Sequence, residues 1–245
     1  MARRLWRYAA LAGLATAMAA LAPLAYPYVE LAPLRYPIVG VDVSNHQGRI
    51  DWDALAASSI AFVYIKATEG ATFKDKSFGR NWSEAARVGI RRGAYHFFRL
   101  CRPIAEQARN VIETVPNDPD ALPLVIDAED TGPCTATLTP NDHAAILKEF
   151  LDVLERHYGR RPLIYTTAEF DDVMLENAGL AGERFWARSL VIPPRFRRDQ
   201  WLIWQYHNRG RRPGVKGDLD LNAARGTRAE FGAFADGSPA PASNP

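Results

Sequence analysis

The chain has 245 residues, 47% of them hydrophobic and 24% charged, enough apolar material for one large or two small folded domains and too much for an intrinsically disordered protein. Its 30 basic and 28 acidic residues give a formal charge of +2, an imbalance too small to make an electrostatic case for nucleic acid.

The N-terminus reads MARRLWRYAALAGLATAMAALAPLAYPY: three arginines, then an uncharged apolar run from Tyr8 to Leu24. The pattern predicts an export signal over residues 1–26, with Ala17-Met18-Ala19 as a small-x-small cleavage site. The run also approaches the ~20 residues that span a bilayer, so residues 8–25 are alternatively an uncleaved anchor, with the arginines on the cytoplasmic side. In both cases the body is expected outside the cytoplasm, periplasmic or extracellular, and only this segment would touch membrane. Without Arg3, Arg4 and Arg7 the body carries 27 basic against 28 acidic residues, near neutrality.

A Pro-rich spacer is expected at residues 27–36 and a folded body at 37–235. Within that body, short apolar runs alternate with helix-patterned segments. Strands are predicted at 38–44, 60–68, 93–99, 122–130 and 161–167, with weaker ones at 183–189, 201–207 and 218–224. Helices are predicted at 77–89, 103–115 and 139–159; Thr139 can cap the last, Pro140 suits its first turn and Gly159 ends it. Helices thin out after about residue 180. The alternation implies parallel strands with crossover helices. Eight strands with about five helices fit an incomplete TIM-like (β/α)-barrel better than an open sheet. The tail, 236–245, lacks core-forming residues and is expected to be disordered.

Cys101 and Cys134 are the chain's two cysteines. An even count in an exported chain predicts a disulfide, and each cysteine follows a strand on what should be the same end of the barrel. No CxxC, Cys/His cluster or Gly-rich phosphate loop occurs, so neither metal nor cofactor is expected.

In such a barrel the chemistry lies where strands end, so polar residues late in apolar runs are the candidates. Asp42 follows IVGV, Asp127 and Glu129 follow LPLVI, and Asp220 lies in DLDLN. Asp127 and Glu129, two apart in a strand, emerge on one side with Cα atoms roughly 6–7 Å apart. Desolvation and like charge should raise one of their pKa values, and Glu129 is expected to hold the proton. Glycoside hydrolysis needs such a donor and a second group at the oxocarbenium-like centre. Asp130, out of phase, should point away. Tyr64, Tyr95, Phe97, Tyr165, Trp186, Trp204 and Tyr206 cluster near the same strand ends and offer faces for sugar rings, with Gln205 as a polar contact. His46 and His96 are polar wall candidates, and Lys66 with Glu69 reads as a local ion pair.

The ordered series GVDVSNHQGRIDW, FVYIKATEG, GAYHFF, LPLVIDAED, LIYTT, FWA, WLIWQYH and GDLDLN resembles glycoside hydrolase family 25, the muramidase lysozymes of bacteria and phages, from about Pro37 to Arg225. The resemblance implies a flattened eight-stranded barrel with five helices that cleaves the β-1,4 bond between N-acetylmuramic acid and N-acetylglucosamine in peptidoglycan. It makes Glu129 the general acid. It makes Asp127 the group that orients the substrate's N-acetyl arm as internal nucleophile, with Asp42 and Asp220 at the family's other acidic positions. Arg188 and Ser189 stand where the family often has a small residue and tyrosine, and His207 where serine is common. The protein is expected to act as a monomer on glycan strands. A catalytically silent glycan-binding protein on the same scaffold and a chitinase-like N-acetylhexosaminidase are the alternatives.

Overall fold

The computed structural model describes residues 30–129, 138–175 and 179–238. The apolar runs form β1 (Ile38–Val43), β2 (Phe62–Glu69), β4 (Arg91–Phe97), β5 (Val125–Asp127), β6 (Leu163–Thr167), β7 (Phe185–Arg188), β8 (Trp201–Gly210) and β9 (Leu219–Ala224), with a two-residue β3 (Phe73–Lys74) folded back on β2. The first eight close a barrel, because β1 pairs with both β2 and β9. Neighbours from β1 round to β8 are parallel. The exception is β9, antiparallel to both β8 and β1, where the alternation had implied parallel strands throughout. Residues 211–218 are too few for a crossover, so the chain returns as a hairpin.

Six helices appear among the described residues, one more than expected: α1 (Trp52–Ala57), α2 (Phe78–Arg87), α3 (Ile104–Thr114), α4 (Pro140–Tyr158), α5 (Ala168–Phe170) and α6 (Arg228–Ala235). None lies between β7 and β9, as the thinning pattern anticipated. Helix α4 begins as the sequence dictates: Asp142 N–H donates to Thr139 Oγ1 at 3.3 Å, and Thr139 N–H donates to Asp142 Oδ2 at 2.8 Å. It ends at Gly159, whose φ of 72° favours a residue without a Cβ. No helix among the described residues is long and apolar enough to cross a membrane.

Strand alternation divides the core in two. Phe62, Tyr64, Val125, Leu163, Trp186 and Ile203 fill the barrel. Val63, Ile65, Ile126, Ile164 and Ala187 face the helices. Gly40 and Gly93 make room for the inner aromatics: a Cβ there would lie 2.4 Å from the Phe62 ring and 2.3 Å from the Tyr64 ring. Each such ring contributes about 1.5–3 kcal/mol by its burial.

The expected spacer is partly structural. Ala32 is buried, Tyr36 packs edge-on against Trp201 and Trp204, and Glu30 pairs with Arg212 at 2.5 Å. Glu30, Ala32 and Tyr36 thus pack on the barrel while Leu31 and Leu34 stay exposed, and the body begins by residue 30. At the other end, Asp236 pairs with Arg91 at 2.6 Å. The export segment, residues 239–245, Asp130 and Cys134 lie outside the described residues.

Candidate active site

Which side chains reach the barrel mouth follows from period-2 alternation. Asp42 faces in between Val41 and Val43, Tyr95 ahead of the outward His96, Asp127 after the outward Ile126, and Gln205 between the outward Trp204 and Tyr206. The mouth holds a cleft of about 110 Å³ lined by Asp42, Asp127, Glu129 and Asp220, by Tyr95, Tyr165, Trp186 and Gln205, and by Val125. All four acids and four of the eight expected contact residues therefore meet.

Asp42 is the hub. The β1–β9 register sets it opposite Asp220, and the two carboxyls share a hydrogen bond. Asp42 Oδ2 also accepts from Asn222 Nδ2 at 2.8 Å and from Gln205 Nε2 at 3.3 Å. Those amide orientations are dictated from behind. Trp186 Nε1 donates to Asn222 Oδ1 at 2.8 Å, and Tyr165 Oη donates to Gln205 Oε1 at 2.8 Å. An indole N–H can only donate, so Asn222 must turn its NH₂ toward Asp42. Burial raises the Asp42 carboxyl to about 6, against the opposing hydrogen bonds of Asn222, Gln205 and Asp220. Burial and then the charge of Asp42 raise Asp220 to about 9. Near neutrality Asp220 thus keeps the proton of the pair and donates it to ionised Asp42.

Asp127 is 7% exposed, and its Oδ1 has no hydrogen-bond partner among the described residues. Burial and then the negative charge of Glu129 push its carboxyl well above the ordinary range, with Lys66 opposing. Asp127 is the member of the pair sunk deeper among apolar neighbours, and Glu129 is half-buried at the lip. Burial and the fields of Asp42, Asp127 and Asp220 raise Tyr95, so its hydroxyl stays neutral.

Other candidates fall elsewhere. Tyr64 is fully buried below the cleft and its hydroxyl donates to Pro123 O at 3.1 Å, so it is barrel core and not a wall of the groove. Phe97 sits one inward position beyond Tyr95, outside the cleft lining, its ring beneath the cations of Lys66 and Arg99 at 5.0 and 4.7 Å. Trp204 and Tyr206 face outward, their polar atoms bonded to Ser189 O and Glu30. His96 also faces outward, between Thr68 and Gln107, and burial lowers it to about 4. His46 is exposed in the turn after β1. Lys66 and Glu69 do pair, at 2.7 Å, and Arg99 joins them. Among the described residues no group of three or more His, Cys, Asp or Glu could hold a metal. Cys101 is not a free thiol. Asn222 was missed, although its place two residues after Asp220 in DLDLN put it on the same inner face.

A closed barrel carrying acids and aromatic walls at the C-terminal ends of its parallel strands is the arrangement of a barrel glycoside hydrolase. Residues 41–215 match the model of glycosyl hydrolases family 25, and the chain belongs to that family. It is 35% identical over 207 residues to uncharacterized protein YegX of Escherichia coli K12, covering 82% of this chain and 74% of that one. It is 32% identical over 215 residues to lysozyme M1 of Streptomyces globisporus, covering 81% and 71%. The structure of a family 25 glycosyl hydrolase from Bacillus anthracis superposes with a TM-score of 0.75 at 38% identity, covering 82% of this chain and 94% of that one. The resemblance read from the motifs thus holds for both family and barrel, and the protein is a glycoside hydrolase.

Proposed function

We propose that this protein is an exported N-acetylmuramidase that hydrolyses the β-1,4 bond between N-acetylmuramic acid and N-acetylglucosamine in bacterial peptidoglycan. The observation that carries the reading is the unpartnered Oδ1 of Asp127 beside Glu129 in an acid-lined cleft. A buried acceptor without a donor is satisfied when a ligand brings one, and the acetamido N–H of the sugar is such a donor. Docked there, it favours ionised Asp127 and leaves the pair's proton on Glu129.

Glu129 then protonates the glycosidic oxygen as the C1–O bond breaks. The acetamido oxygen of the substrate closes on C1, and Asp127 stabilises the positive charge that develops on that group. Water, giving its proton to the Glu129 carboxylate, opens the cyclic intermediate and restores the starting state. Asp42, Asp220, Asn222 and Gln205 hold the opposite wall, and Trp186 and Tyr165 offer ring faces to the sugar.

Mass analysis of fragments from purified peptidoglycan and from chitin oligomers tests this. Fragments with muramic acid at the reducing end are expected. Faster cleavage of chitin would make the enzyme a hexosaminidase, and no fragments from either would make it a binding protein.

The Cys101–Cys134 disulfide belongs to the same exported reading. It is supported by the absence of a free thiol at Cys101 and by the chain's single other cysteine. Such a closure contributes roughly 3 kcal/mol in the chain-entropy view. Two reactive thiols in the unreduced, exported protein would exclude it.

A further inference from the structure

Half-buried arginines in this protein have bonded partners: Arg92 meets Asp118 at 2.5 Å, Arg161 meets Glu183 at 2.7 Å, Arg197 meets Asp171 at 2.8 Å and Arg212 meets Glu30 at 2.5 Å, while Arg160 donates to the backbone oxygens of Ala235 and Asp118. Arg188 is half-buried too, yet its guanidinium makes no hydrogen bond or ion pair among the described residues. It is also one of the positions where the sequence departs from the family pattern.

Its place is set by β7. Trp186 faces in and lines the cleft and Ala187 packs outward, so Arg188 faces in again, roughly 6–7 Å nearer solvent. The register puts it beside Thr167 on β6 and Gln205 on β8. Its positive field reaches Asp220 and Tyr165, both on the cleft wall. Beyond it the chain is pinned to the mouth: Ser189 N–H donates to Gln205 O at 3.1 Å and Val191 N–H to Tyr206 O at 3.0 Å. This pinning holds Val191 at φ 74°, a costly conformation for a β-branched residue. It leaves Val191 and Ile192 half-exposed, at 50% and 49%.

A cleft lined by four acids, with Asp42 ionised near neutrality, disfavours an anionic polymer unless a cation is placed to receive the polymer's charge. Muramic acid is anionic where N-acetylglucosamine is not. Its lactyl carboxyl is free in peptide-stripped strands, and in native strands it is amide-linked to a stem peptide that bears its own carboxylates. We propose that Arg188 is a specificity residue that receives a carboxylate carried by the muramic acid unit, with Val191 and Ile192 covering the apolar part of the same substituent. The planar guanidinium fork suits a carboxylate and has no competing partner to release. This inference rests on the muramidase reading above.

The test compares wild type, Arg188→Ala and Arg188→Lys on peptide-bearing strands, amidase-stripped strands and chitin oligomers. Arg188→Ala is expected to raise KM on anionic strands by about 10- to 100-fold, the range of a charged hydrogen bond, with kcat little changed. Arg188→Lys should recover part of the loss, and chitin oligomers should not respond. A loss on stripped strands alone assigns the lactyl carboxylate, a loss on peptide-bearing strands alone assigns a carboxylate of the stem peptide, and a loss on both means that Arg188 takes whichever of the two the unit carries. Equal change on chitin, or no change on either anionic strand, overturns the proposal. If the wild type releases no muramic-acid ends, the muramidase reading fails. Strand binding by Glu129→Gln, with and without Arg188→Ala, still reads the Arg188 contact in that case.

Discussion

The mouth of the barrel and its outer wall treat buried charge in opposite ways. On the wall, Asp171 and Glu30 each face an arginine. Against the upward push of burial, Arg212 holds the Glu30 carboxyl below its ordinary range. At the mouth, Asp42 and Asp127 are buried and Asp220 half-buried, none with a bonded cation among the described residues, and all three shift upward. The wall uses ion pairs to fix one packing. The mouth keeps uncompensated acids, which costs stability, and that is the pattern of a site whose partner is a ligand.

The largest effect that can break this comparison is chemical. Glu129→Gln keeps the shape of the side chain but carries no transferable proton, so turnover should fall by about 10²- to 10⁴-fold while glycan still binds. Asp127→Asn should also cripple turnover, through loss of the charge that orients the acetamido group. Neither should lower the thermal midpoint. A folded Glu129→Gln enzyme with near wild-type release of fragments would remove Glu129 from the acid role.

On the wall the largest effect is on stability. Arg197 and Asp171 are 12% and 7% exposed, and Arg197 also donates to Leu175 O at 2.8 Å and lies over the Phe185 ring. Arg197→Ala removes the cation facing a buried carboxylate and should cost roughly 3–5 kcal/mol in urea unfolding. Below the midpoint, turnover should be unchanged. A loss under about 1 kcal/mol would mean that this pair is worth no more than a surface one.

How far each region was legible in the sequence follows the same division. Asp42, Asp127 and Glu129 stood out because they come late in apolar runs, and strand period then fixed their facing. Asp127 and Glu129 needed only that rule. The same rule separates Tyr95 and Tyr165 from Trp204 and Tyr206, but depth along a strand is not periodic. Hence Tyr64, on the inner face like Tyr95, could not be told from a wall residue until the barrel closed over it. Asn222 was hidden because an amide has no motif of its own; its role comes from Trp186 behind it and from Asp42 before it, the latter 180 positions away in the chain. The pairing of Glu30 with Arg212 spans 182 positions and leaves no local trace.

The smallest expected effect sharpens the comparison most, because it should change with pH. Asp220 has its carboxyl raised from 3.8 to about 9 by burial and by Asp42, so the folded state binds a proton that the unfolded state gives up. Below about pH 4 both states are protonated and Asp220 imposes no penalty. As pH rises toward 9 the unfolded state ionises first, and the fold loses stability progressively. Asp220→Asn keeps an N–H to donate to Asp42 and cannot ionise. It should therefore match the wild type near pH 4 and exceed it by roughly 1 kcal/mol, about 2–4 °C in thermal midpoint, near pH 9. The wall behaves in the reverse sense, since the lowered carboxyl of Glu30 contributes stability above about pH 4.5 that is lost as pH falls further. Midpoints of Asp220→Asn and wild type measured in parallel from pH 4 to pH 9 would read this directly. A gap that stays constant, or that closes toward pH 9, would show that Asp220 is not the proton holder of its pair and that the hub at Asp42 is wired the other way.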